Sequence, residues 1–150
     1  MPDYPSIETK IEDAVAVAFA AFTGGPTGYT YYKSNLGAEL VLPAIVIQCP
    51  GFEKAHPDAE AGARNNFNAT VNIIVVTNAE DSSRVIHGNL YGWAQAIGIT
   101  SADQMVTELN AAAVAGFTAS AWGIESGGQS DFDDQRRVST LTFSLICSVS

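Results

Sequence analysis

The run ATVNIIVVT, Ala69–Thr77, decides the fold. Successive side chains of an extended chain point to opposite sides, so Val71, Ile73 and Val75 share one face and Ile74 and Val76 the other. A strand that is apolar on both faces is covered on both. The β-branched content supports the extended form, and this is the best strand in the chain.

Two further runs supply its neighbours. Upstream, ELVLPAIVIQC at Glu39–Cys49 reads as a strand, with Pro43 placing it at a sheet edge or breaking it. Residues 50–68 read as a polar loop. Downstream, Val138–Val149 alternates cleanly. Leu141, Phe143, Leu145, Cys147 and Val149 face one way, while Thr140, Thr142, Ser144 and Ser148 face the other. Before it, FTASAWGIE at Phe117–Glu125 alternates weakly, and SGGQSDFDDQ at Ser126–Gln135 reads as a glycine-rich acidic loop.

Helical spacing appears in three places. Ile7, Ile11, Val15, Ala18, Phe19 and Phe22 form the apolar stripe of a helix that Ser6 can cap. A second stripe reads Ile86, Leu90, Trp93 and Ile97, with Gly98 closing the helix. Gly88 and Gly92, four residues apart within it, leave room for another backbone and are subunit-interface candidates. A short third helix carries Met105, Val106 and Leu109, with Ser101 and Gln104 as a capping-box pair. Between the first helix and the first strand, Tyr29, Tyr31 and Tyr32 make an aromatic-rich loop or hairpin, also an interface candidate. The expected fold is α+β and a single domain: one mostly antiparallel sheet, two main helices on one face, and the short third helix.

Charge narrows the function. Of 150 residues only 15% are charged, against about 25% in an ordinary domain. Seven Lys and Arg face sixteen Asp and Glu, giving a net charge of −9. Gripping nucleic acid phosphates needs clustered cations, which this chain lacks. No apolar run is long enough to cross a bilayer, so no membrane role is expected. Cys49 and Cys147 lie in apolar runs with no export signal ahead of them, and buried free thiols are expected.

Catalytic, cofactor and metal patterns fail on spacing. His56 with Asp58 and Glu60 lacks a second nearby His. Asp131, Asp133 and Asp134 lack the Gly and closing Glu of a calcium loop. His87 has no nucleophile motif beside it and reads as a helix-face or interface residue. No cofactor is expected.

The order of segments resembles the tail terminator, or tail completion, proteins of long-tailed bacteriophages, the minor tail protein U family. The resemblance lies in the Leu-Pro-x-Ile-x-Ile run at Leu42–Ile47, a strand ending Val76-Thr77 before a helix, and the alternating final strand. It implies a structural virion protein in a homohexameric ring with an α+β fold. Such a ring ends tube polymerisation, binds the tail tube protein and the head–tail connector protein, and lets DNA pass through its lumen. It is assembled in the host cytoplasm and has no catalytic residues. Asp131, Asp133 and Asp134 are then candidates for a lumen- or partner-facing loop. A head-closure protein of the same neck, or a small α+β enzyme or ligand-binding domain using His87 or His56, are the alternatives.

Overall fold

The computed structural model describes residues 6–33, 40–54, 66–112, 114, 116–133 and 135–149. The elements are α1 (Ile7–Ala21), β1 (Thr30–Lys33), β2 (Ala44–Lys54), β3 (Asn66–Asn78), α2 (Asp81–Thr100), α3 (Ala102–Ala111), β4 (Phe117–Asp133) and β5 (Arg136–Val149). The chain is α+β, with one five-stranded sheet ordered β1-β2-β3-β5-β4. The sheet is mixed: β1 runs parallel to β2, and the other neighbouring pairs are antiparallel.

β3 lies at the centre, where its two apolar faces put it. Val71, Ile73 and Val75 join the main core, and Ile74 and Val76 join a smaller cluster with Val46 on the opposite face. All three helices pack into the main core. α1 brings Ile11, Val15 and Phe19, α2 brings Leu90 and Ile97, and α3 brings Met105 and Leu109. Among the described residues, Tyr32, Leu40, Leu42 and Val138 pack against the apolar cluster on the second face. Each fully buried aliphatic side chain contributes about 1.5–3 kcal/mol, so the helical face carries most of the stability.

Several local expectations change. Tyr29–Tyr32 is no hairpin, because Thr30–Lys33 pairs in parallel with Ala44–Ile47. Pro43 does not put β2 at an edge; it precedes the first strand residue and its carbonyl accepts from the Thr30 N–H at 3.0 Å. β2 then runs past Cys49 through a bulge. Gln48 pairs with Asn72 and Gly51 with Thr70, so Cys49 and Pro50 share one position opposite Val71. The Glu12 carboxylate, 4% exposed, accepts the Cys49 N–H at 2.9 Å. Glu12 thus does from α1 what a ladder partner does elsewhere.

The larger correction concerns Ser126–Gln135. Its described residues up to Asp133 are strand, not loop, and β4 pairs with β5 nearly end to end. The strong alternation of β5 provides a template that glycine-rich residues join despite low strand propensity. Three register shifts take up the mismatch, leaving Ser120, Glu125 and Phe132 as the extra residues.

The helix ends differ as well. Ser6 does cap α1, its hydroxyl accepting the Thr9 N–H at 3.1 Å. Ser101 sits at the N-cap of α3 without a side-chain capping bond. α2 is capped by Glu80, again without a side-chain bond, and continues through Gly98 to Thr100. Gly98 is buried there because the Phe143 ring occupies the space of a Cβ.

Candidate functional site

α2 has two contrasting faces. Ser83, His87, Leu90, Ala94, Ile97 and Gly98 are buried. Of the stripe Ile86, Leu90, Trp93 and Ile97 read from the sequence, Leu90 and Ile97 are buried and Trp93 packs against the core, but Ile86 is 44% exposed and His87 takes the inward position. At 100° per residue, Val85, Gly88, Gly92, Ala96 and Ile99 line the opposite, solvent face. Val85 is 66% exposed and Ile99 59%. A Cβ on Gly88 or Gly92 would meet nothing within 4 Å, so neither glycine serves packing inside this chain.

The tyrosines separate. Tyr31 donates its hydroxyl hydrogen to the Tyr29 oxygen at 2.9 Å, with the rings edge to face at 4.9 Å. Tyr29 leans on Trp93, which meets Phe19 edge to face at 5.5 Å. Burial first, then the bond to Tyr29, pushes the Tyr31 phenol far above its ordinary range. Tyr32 points to the other face of the sheet, and its hydroxyl accepts the Val41 N–H at 2.9 Å.

Asp131 and Asp133 are strand residues, in register with Arg137 and Arg136. Asp134 lies outside the described residues, as do His56, Asp58 and Glu60. Asp131 and Asp133 thus lie at the end of β4 that pairs with the start of β5. Cys49 and Cys147 are free and buried. Burial pushes their thiols up to about 12 and about 11.

One juxtaposition was invisible in the sequence. His87 Nε2 lies 2.6 Å from Ser139 Oγ, which is 52 positions away in the chain. Tyr91 stacks nearly parallel to the imidazole at 6.3 Å, and its hydroxyl lies over Gly127. A His–Ser pair is the core of a nucleophilic site. Here His87 is 2% and Ser139 1% exposed, so the pair is sealed beneath α2 and joins helix to sheet.

The outer face of the sheet carries an open groove of about 580 Å³, lined in part by Glu53, Asn68, Thr70, Glu125, Thr142 and Ser144. Two of its hydroxyls are committed to neighbours: Thr142 donates to Asn72 Oδ1 at 3.0 Å and Ser144 to Asn68 Oδ1 at 2.9 Å. Among the described residues, no group of three or more His, Cys, Asp or Glu side chains is placed to hold a metal ion, and no helix is long and apolar enough to cross a membrane. No protein-family model matches the chain, and no curated protein matches it in sequence.

Proposed function

We propose that this chain is an assembly subunit, a structural protein that packs with copies of itself into a ring. The observation that carries the reading is the solvent face of α2. From Val85 to Ala102 the sequence holds no Asp, Glu, Lys or Arg, and Val85, Ile86 and Ile99 are exposed. Depletion of charge with exposed apolar side chains is the composition of a contact centre. It stands out in a chain of net charge −9, where copies repel unless a neutral surface joins them.

The resemblance in segment order makes the ring specific. It is a homohexamer that caps a bacteriophage tail tube, ends its polymerisation and meets the head–tail connector, with DNA passing through the lumen. An acidic chain suits a passage that must not hold DNA. The test is native mass spectrometry over a concentration series, followed by electron microscopy of purified tail tubes with and without the protein. Rings in solution and ring-tipped tubes of fixed length are expected. A chain that stays monomeric at every concentration and leaves tubes unchanged refutes the proposal.

A head-closure role is separated by which end of the tail the protein binds. A hydrolytic reading would rest on His87 and Ser139. Labelling of Ser139 by a fluorophosphonate under native conditions would favour it over assembly.

A further inference from the structure

The two edges of the sheet differ along their lengths. The upper part of β4 is protected. Asn110 on α3 accepts the Ala119 N–H at 2.7 Å and donates to the Ala119 carbonyl at 3.2 Å, standing in for a neighbouring strand. Register shifts on either side of Ala121–Ile124 bend that part further. Such devices keep edge strands from pairing with other chains. The lower part has neither. Ser126–Asp131 is free of register shifts and, up to Ser130, free of charge. Among the described residues, no strand pairs with its outer edge.

At the other side of the sheet, β1 is also an edge. The Thr30 N–H turns inward to Pro43, and alternation then directs the backbone groups of Tyr31 and Lys33 outward. The pairing registers fix the height of β1 relative to β4. One row across the sheet reads Thr30, Ala44, Val76, Val138, Ser130, and another reads Lys33, Ile47, Ile73, Leu141, Gly127. β1 therefore lies level with the unprotected segment of β4. The strand directions give β4 opposite to β1.

We infer that Gly127–Ser130 of one copy pairs antiparallel with Thr30–Lys33 of the next, joining the sheets edge to edge around a closed ring. The inference rests on the ring reading and deepens it by naming the joint. A cyclic ring has no translation along its axis. With that axis along the strands, only segments at equal height meet, and these two are at equal height. Their faces also match. Gly128 opposes Tyr32, both on the outer face, and Gln129 opposes Tyr31, both on the helical face. Gly128 leaves open space where the Tyr32 ring of the neighbouring copy would lie, and an aromatic covering a strand glycine is a known stabilising pair.

The test is a double substitution in the full chain, Thr30→Cys with Ser130→Cys, left to oxidise and run on non-reducing gels. The native thiols are buried and do not compete. A ladder of covalent oligomers ending at the ring size is expected. The control, Thr30→Cys with Thr118→Cys at the far end of β4, should give at least tenfold less cross-linking. Gly128→Glu adds a charge at a position with open space, so the fold is kept and the oligomer should dissociate. Oligomers that form but neither cross-link through Thr30→Cys/Ser130→Cys nor respond to Gly128→Glu overturn the joint and leave the ring. A chain monomeric at every concentration overturns the ring itself.

Discussion

Replacing glycine by alanine along α2 should change sign with position. Gly88 and Gly92 are mid-helix and exposed, and a Cβ on either meets nothing within 4 Å. Each Ala then recovers helix propensity alone, up to about 1 kcal/mol. That corresponds to a rise of about 2–4 °C in Tm for a domain of this size. Gly98 lies in the same helix, but the Phe143 ring, fully buried and stacked on Trp122 at 4.6 Å and 22°, fills the Cβ position. Gly98→Ala must displace one of the most confined rings in the core, and overpacking of this kind costs about 1–3 kcal/mol. It outweighs the propensity gain, so Gly98→Ala should lower stability by about 1–2 kcal/mol. The assay is urea denaturation in dilute solution, where copies are apart. Phe143→Leu completes a double-mutant cycle. It lowers stability itself, but in its background Gly98→Ala should become neutral or stabilising, a coupling of about 1–3 kcal/mol. A Gly98→Ala variant as stable as Gly88→Ala, or a coupling near zero, would refute the packing argument.

Three further outcomes are expected. Gly88→Ala with Gly92→Ala, while stabilising the single chain, should weaken the oligomer, read as a shift of native mass spectra toward monomer at fixed concentration. Asn110→Ala should cost about 1–3 kcal/mol, because the Ala119 N–H and carbonyl lose their partner, and light scattering should detect aggregation through the uncovered edge. The thiols bind protons more tightly in the folded chain, with pKa near 12 and 11 against 9.0 when free. Stability should therefore be fully present below about pH 9 and fall as pH rises toward 12, a fall that Cys49→Ala with Cys147→Ala would reduce.

The central strand was legible because its information is local: alternation within Ala69–Thr77 fixes both faces without reference to any neighbour. The same holds for α1, whose cap and stripe lie in one continuous segment. What stayed hidden is set by partners distant in sequence. β1 pairs in parallel, and nothing in Thr30–Lys33 announces Ala44–Ile47 as its neighbour. Ser126–Asp133 has the composition of a loop, yet the alternation of β5 holds it in a ladder. The first inward position of α2 was misread because an apolar Ile86 outranks a polar His87 in any hydropathy reading. Ser139, 2.6 Å from the imidazole, reverses that order by giving the buried ring a hydrogen bond. The glycine pair of α2 was legible in the sequence, but its exposure was not.

Sequences that fold well obey local rules nearly everywhere, and departures gather where something besides folding is served. The departures here are of two kinds. Those turned inward are accounted for: Gly98 yields to Phe143, Gly127 lies beneath Tyr91, and His87 meets Ser139. Those turned outward meet no packing partner among the described residues. Gly88 and Gly92 weaken an exposed helix, Val85 and Ile99 face water, and Ser126–Ser130 leaves a flat neutral edge beside a part of the same strand that Asn110 guards. A protein selected only to stay folded and separate would replace each with a charged or helix-favouring residue at a gain of several tenths of a kcal/mol or more. Tyr91, on α2, reaches over Gly127 of β4, so the helix and this strand segment are neighbours. The outward departures on these neighbouring elements each present an uncharged surface. Its composition, neutral and small, is what a second copy of an acidic chain can approach.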